Sequence, residues 1–393
     1  MSKQSTKTVI IIGAGPAACA TALSLLHASS EPLTIKLFMP AKATDKPAIG
    51  ETIPPAASPA LRDLGLNNIL EQDTHIVCPG SVSIWGDPQP GNNDFLLQPV
   101  GRGYHLDRTH FDAQLREQVI TRGGEIHIGW KLRHVRADQQ GYKLGFNTID
   151  AVNNDARLHW EYADHVIDAS GIAAAFARRL NIARNLLDEV IALCAVVPIK
   201  PQTLPAHTLI QTCEHGWWYA ARLPSDKAII ALTTDALTLK QHALSNTQNW
   251  LKAFQESGWL AEQSLRQFGR ALCSPAVIHS KSAPSAILSA VIGKRWLAVG
   301  DAASSYDSMS SAGITKALIH GKIAGHAIAD YLSTGEEQQL KAYQDRVFAD
   351  FNTYIGLHQQ HYRSEQRFTQ SGFWQRRRIR GYSGKFVGKS EKK

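Results

Sequence analysis

The chain has 393 residues, 44% apolar, 19% charged and 8% aromatic, a balance that supports a sizeable core and excludes disordered or small stapled classes. Its five cysteines (Cys19, Cys78, Cys194, Cys213, Cys273) include no Cys-x-x-Cys pair, which argues against a zinc ribbon or disulfide framework and for a reducing compartment. The net charge of +8 is concentrated, because residues 376–393 hold eight Lys or Arg against one Glu. The rest is close to neutral, so no nucleic-acid-binding face is expected. The tail reads as a solvated, mobile end, with docking to an acidic partner as the less favoured alternative.

In chain order, Met1–Lys7 is polar, and the apolar run behind it is too short for a signal peptide or membrane span. A soluble, cytoplasmic protein with no membrane partner is expected. Thr8–Ile12 reads as a buried parallel strand, Gly13–Pro16 as a tight turn, Ala17–His27 as a helix and Leu33–Phe38 as a second strand: a βαβ unit. Met39–Pro59 is turn-rich. Residues 77–105 read as strands and loops, and Thr109–Arg122 as a helix. Glu125–Asp138, Tyr142–Phe146 and Ala163–Asp168 read as strands. Between 185 and 235, Ala192–Ile199, Thr208–Thr212, Trp217–Leu223 and Ala228–Thr233 suggest an antiparallel sheet. Gln241–Ser257 reads as a helix, Trp296–Val299 as a short strand and Ile314–Leu332 as a long helix. From Glu336 the chain is helical and then basic.

The strongest chemical signal is Gly13-Ala14-Gly15-Pro16-Ala17-Ala18, placed after a strand and opening a helix, as a dinucleotide fingerprint requires. Gly13 permits the turn, Gly15 leaves room for a pyrophosphate, and Ala18 takes the third small position. The acid expected about 20 residues on, to grip the ribose, is missing. The second strand ends Leu37-Phe38-Met39-Pro40. A second signal is Trp296–Val299 running into Gly300-Asp301, then a Ser-rich loop and Gly313 at the start of the long helix. A carboxylate at a strand end can accept from a polyol, and the neighbouring helix N-terminus favours negative charge. FAD needs both.

On these motifs, with Gly50-Glu51, Arg108-x-x-Phe111-Asp112 and Ala163–Gly171, the chain resembles the FAD-dependent monooxygenases of the para-hydroxybenzoate hydroxylase type, which include flavin-dependent halogenases and geranylgeranyl reductases. The resemblance implies an α/β fold, with a Rossmann-like FAD-binding domain interleaved with an antiparallel-sheet substrate domain and a C-terminal helical segment. The implied boundaries are 1–76, 106–175 and 286–335 for the FAD-binding parts, 77–105 and 176–285 for the substrate parts, and 336–393 for the C-terminal helices and tail. It places Gly50, Glu51, Arg108 and Asp301 at the cofactor, beside Gly13, Ala14, Gly15, Ala18 and Gly313. Asp307-Ser308 stands where the family usually has Asp-Pro.

Gly216–Tyr219, Leu223-Pro224, Gly103–Arg108, Ser83–Gly86 and Phe373–Arg377 resemble one branch, the halogenase-like flavoproteins that mature quinone-cofactor oxidases. That branch oxygenates a tryptophan in a precursor polypeptide on the way to cysteine tryptophylquinone. The resemblance implies an FAD-dependent monooxygenase using O2 and NAD(P)H or an external reductant, with the precursor of a quinone-cofactor oxidase as protein partner. Hydroxylation of a free indole or phenol is the alternative; a halogenase or a non-catalytic flavoprotein chaperone ranks lower. Trp217, Trp218 and Tyr219 are read equally as substrate-pocket wall or sheet core, and Glu51 and His105 as proton-transfer candidates.

Flavin halogenases resembling this chain need a lysine between the Gly-Glu loop and the next helix, and none occurs from Pro47 to Trp130. Their glutamate before Ser-x-Gly is replaced by Ser310, and their Trp-x-Trp-x-Ile-Pro spacing is absent. His358 and His361 have no ligand-spaced acid or cysteine and read as surface histidines, not metal ligands.

Overall fold

The computed structural model describes residues 6–41, 52–95, 98–149, 156–200, 206–269, 277–379 and 385–388. Strand Lys7–Ile12 lies at the centre of a six-stranded sheet, parallel to Leu33–Met39 on one side and His165–Asp168 on the other. Glu125–Ile128 extends it beyond Leu33–Met39. Trp296–Ala298 extends it beyond His165–Asp168 and pairs antiparallel with Ile292–Gly293. Val9, Ile10, Ile11, Val166, Ile167 and Leu297 are all buried, as strands covered on both faces require.

An eight-stranded sheet runs in the order Ser304–Ser305, His279–Leu288, Arg184–Pro198, Lys227–Thr234, Gly216–Leu223, Thr208–Cys213, Gly80–Ile84, Gly91–Asp94. All its pairs are antiparallel except Thr208–Cys213 with Gly80–Ile84. Strand alternation sends successive side chains to opposite faces. Trp218 therefore packs with Trp250 and Phe254 of helix Thr247–Gln255, while Trp217 lies on the other face with Tyr362, Phe373 and Trp374.

Two expected elements are split. Gly129, at φ +92°, turns the chain so that Glu125–Ile128 stays in the parallel sheet while Trp130–Ala137 joins Tyr142–Ile149 and Ala156–Ala163 in a separate antiparallel sheet. The expected helix Gln241–Ser257 is interrupted: a separate short helix, Ala236–Gln241, ends where it was to begin, residues 242–246 turn, and only Thr247–Gln255 is helical within it. Asn246 starts the second by accepting from the amides of Gln248 and Asn249. Helix Trp259–Phe268 and strand His279–Leu288 were not anticipated.

The first helix, Pro16–Ala28, packs against the long helix, Gly313–Thr334, in the same direction. A Cβ at Gly321 would lie 2.7 Å from the Ala20 Cβ, and one at Gly325 2.6 Å from the Ser24 Cβ. A Cβ at Gly300 would lie 2.6 Å from that of Ala17. Small residues on both helices thus allow backbone contact, and Ser24 Oγ donates to the Lys322 carbonyl at 2.7 Å.

The basic tail departs from expectation. Arg376, Arg377 and Arg378 belong to helix Gly372–Ile379 and are bonded internally. Arg377, 4% exposed, binds Asp188 and Asp235, each at 2.8 Å, and its guanidinium lies 3.8 Å from the Phe373 ring centroid. Arg376 also binds Asp235, and Arg378 donates to the Glu365 carbonyl. Burial opposes ionisation of Asp235, but the bonds from Arg377, the Thr238 amide and Arg376 prevail and hold its carboxyl down at about 2. Beyond the helix, Phe386 exchanges two hydrogen bonds with the Asn352 side chain. The solvated-end reading fails here because two buried carboxylates of the antiparallel sheet require cations.

Removing a buried charge partner leaves the other charges uncompensated. Arg377→Met should therefore cost about 3–5 kcal/mol. Lys252→Met, at an exposed pair with Glu256, should cost no more than about 0.5 kcal/mol. Denaturant midpoints compare the two; equal midpoints would contradict the clasp.

Candidate active site

The carboxyl ends of the central strands converge at residues 12, 168 and 298. Gly13 N donates to the Phe38 carbonyl at 2.7 Å, Ala169 N to Ile12 and Val299 N to Asp168. Gly13 has φ +120°, and a Cβ there would lie 2.3 Å from the Ala169 carbonyl oxygen, so the turn demands glycine. Gly15 differs: a Cβ there would meet nothing within 4 Å. The helix it opens has no side-chain cap and no acid in its first turn. The long helix repeats this, with no side-chain cap and open space at Gly313. Two helices thus begin with amides that no side chain caps. Ala18 is fully buried, and Ala14 nearly so.

Asp168 is also buried. It accepts from the Ser170 amide and hydroxyl and from the amides of Phe176 and Ala177. Burial still raises its carboxyl above the ordinary range. Strand Leu33–Met39 ends without an acid, and Phe38 is stacked between the His127 and Phe146 rings.

Asp301 is 43% exposed at its side chain, and its Oδ1 is 2.9 Å from Lys316 Nζ. Arg184 donates to the Asp301 carbonyl at 3.3 Å and to Ser305 Oγ at 2.8 Å. Arg108 lies on helix Arg108–Thr121, which touches the first helix, and binds both oxygens of Asp112 at 3.2 Å. Gly50 and Glu51 lie outside the described residues.

The next residue, Thr52, is placed. Its hydroxyl is 3.0 Å from His105 Nδ1 and 2.9 Å from the Tyr219 hydroxyl. His105 Nε2 is 3.1 Å from the Ala206 carbonyl, which can only accept. Nε2 therefore carries the proton, and Nδ1 accepts from Thr52. Burial pushes His105 down to about 4, so the ring is neutral near pH 7. The result is a directed chain, Tyr219 to Thr52 to His105.

Trp217 and Tyr219 share a face, but Trp218 does not, so the three cannot form one wall. Trp218 is core between Trp250 and Phe254. Trp217 is 2% exposed, and its Nε1 donates to the Tyr362 hydroxyl at 3.1 Å. Tyr362 in turn donates to Asp307 at 2.6 Å. Asp307 is 1% exposed; its amide donates to the Tyr354 hydroxyl, and His358 Nε2 lies 3.4 Å from its carboxylate. Burial alone would raise Asp307, but His358 and Tyr362 hold it below the ordinary carboxylate range. His358 is therefore buried rather than on the surface. No cluster of three metal-ligating side chains occurs among the described residues.

Sequence reasoning missed Lys316, Arg184, Thr52 and Tyr362. Lys316 alone carried a signal, as a single charge within the apolar and small run Gly313–Ile319.

These residues fit FAD. Two uncapped helix starts suit its anionic groups, the space at Gly15 admits a pyrophosphate, and the accessible side of Asp301 can accept from a polyol. The tryptophan halogenase family profile matches residues 86–383. The chain belongs to that family, within the halogenase-like flavin monooxygenases, and is a flavin-dependent oxidoreductase whose family implies FAD.

Among individual proteins, it is 27% identical over 94% of its length to "Putative FAD-dependent oxidoreductase LodB" of Marinomonas mediterranea, covering 96% of that protein. The myxobacterial chondrochloren halogenase CndH superposes with TM-score 0.81 at 19% identity, covering 96% of this chain and 87% of that one. Peptidyl tryptophan dihydroxylase QhpG, essential for tryptophylquinone cofactor biogenesis, superposes with TM-score 0.75 at 23% identity, covering 95% and 79%. No helix among the described residues is long and apolar enough to cross a membrane.

His105 gives a pH prediction. Its folded value of about 4 lies below the unfolded value near 6.5, so the unfolded chain binds the extra proton between them. Stability therefore falls as pH drops through that window, by roughly 3 kcal/mol at full titration. His105→Gln, measured by denaturant unfolding at about pH 7 and about pH 4.5, should remove most of that fall. His165, also pushed down by burial, to about 3, is common to both proteins and cancels. A variant with an unchanged pH dependence would refute the neutral buried ring.

Proposed function

We propose that this protein is an FAD-dependent monooxygenase that oxygenates a tryptophan side chain in the precursor of a partner oxidase, during biogenesis of a cysteine tryptophylquinone cofactor. The observation that carries the substrate class is the likeness to peptidyl tryptophan dihydroxylase QhpG across 95% of the chain. The sequence favours oxygen transfer over halogenation, because no lysine occurs from Pro47 to Trp130. The buried Lys316 does not replace it: its ammonium is committed to Asp301, the Ser304 carbonyl and the Tyr306 ring.

When bound, FAD supplies electron transfer and O2 activation, with NAD(P)H or an external reductant as electron source. The chain's own residues bind and orient. The amides at Gly15 and Gly313 would face the negative charge of FAD, Asp301 would accept from its hydroxyls, and Arg108, Gly50 and Glu51 would complete the cofactor set. Tyr219, Thr52 and His105 form a fixed hydrogen-bond chain, in which the neutral His105 ring orients the Thr52 hydroxyl and, through it, the Tyr219 hydroxyl. Asp307 accepts from the Met309 amide at 3.1 Å and from Tyr362, which anchors the start of the loop leading to Gly313.

The test incubates the protein, FAD, a reductant and O2 with a tryptophylquinone oxidase precursor, then weighs its tryptophan peptide. The expected product carries one or two added oxygen atoms, with no bromine incorporated when bromide is present. Free tryptophan should remain unreacted. Turnover of free tryptophan, or a brominated product, would overturn the assignment. A partner matured equally well by an FAD-free variant would indicate a chaperone.

A further inference from the structure

Lys316 is the fourth residue of the long helix, and its side chain is 4% exposed. A buried ammonium is costly unless paired and hydrogen-bonded. Here it lies 2.9 Å from Asp301 Oδ1, donates to the Ser304 carbonyl, and sits 4.1 Å from the Tyr306 ring centroid. Burial pulls its pKa down, and Asp301 opposes that pull. Asp301 is held on one side only, since 43% of its side chain stays exposed. Arg184, bonded to the Asp301 carbonyl and to Ser305, adds a second cation to the same turn. Lys316 thus pairs with one half-exposed carboxylate at the end of strand Trp296–Ala298, while Arg184 holds the backbone of the same turn.

We propose that Lys316 is a positioning residue for FAD: its ammonium fixes the orientation of the Asp301 carboxylate, so that the accessible oxygen accepts from the cofactor's polyol hydroxyls. Without the ammonium, the carboxylate is free to rotate. It would also face the Ser304 carbonyl without a cation between them. The inference rests on the FAD reading of this crevice and adds a residue that the fingerprint motifs do not contain. A purely structural lysine would affect folding but would show no coupling to Asp301 in cofactor affinity.

The test is a double-mutant cycle on FAD binding to apoprotein, followed by flavin fluorescence, with the melting temperature of each apoprotein as the folding control. Lys316→Met should weaken FAD binding by about tenfold or more, and Asp301→Asn by a similar factor. The double variant should be no more than about threefold weaker than the poorer single variant, since both remove one interaction. Lys316→Arg, which keeps the charge, should recover part of the loss. If Lys316→Met does not fold, Lys316→Gln carries the same cycle. Unchanged affinity in the folded variant, or penalties that multiply in the double variant, would overturn the proposal. Wild-type protein that binds no FAD would instead sink the cofactor reading itself.

Discussion

The structure depends on how closely two helices approach. Pro16–Ala28 and Gly313–Thr334 pack with backbones near contact, which only Ala17, Ala20, Thr21 and Ser24 against Gly300, Gly321 and Gly325 allow. One larger side chain at Gly321 would strike the Ala17 carbonyl oxygen, 2.8 Å from its Cβ. Because the helices run in the same direction, both N-termini fall at the carboxyl ends of the parallel strands. Helix starts carry partial positive charge and unpaired amides. Two of them at one sheet edge, with an open Gly15, define where an anionic dinucleotide can lie.

Buried charge organises the other half of the molecule. Arg377 joins Asp188 and Asp235, strapping the C-terminal helix over the antiparallel sheet. Asp307 joins Tyr362 and His358, tying the preceding helix, Gln338–Ser364, to the loop that leads into the long helix. Lys316 and Asp301 do the same at the strand end. The Arg377 and Asp307 clusters link segments far apart in sequence, so each acts as a registration device whose loss leaves an unpaired charge in a low-dielectric site. The aromatic layer of Trp85, Trp217, Tyr362 and Trp374 fills the space between them.

The parallel half was legible because its signals are local. A β-branched run before Gly13-x-Gly15, and a strand before Gly300-Asp301, state their geometry within a few residues. The breaks at Gly129 and Asn246 were not legible, since a glycine turn and an Asn cap leave hydrophobic patterning almost undisturbed. Trp217–Tyr219 illustrates another limit. Strand periodicity places Trp217 and Trp218 on opposite faces, but which face meets the helices depends on Trp250 and Tyr362, distant in sequence. The arginines of the tail looked solvated because their partners, Asp188 and Asp235, lie more than a hundred residues away. Lys316 was overlooked because its role needs the fold: only there do the helix and the strand end meet.

The central claim is that the opening at Gly15 holds FAD. Gly15 has φ −87° and ψ −173°, a conformation open to any L-residue, and a side chain there meets no protein atom within 4 Å of its Cβ. The decisive measurement is the FAD dissociation constant of Gly15→Val beside the melting temperature of its apoprotein. The account predicts a folded protein with wild-type melting and FAD affinity lowered by about a hundredfold or more. A folded variant that binds FAD as tightly as the wild type would contradict it.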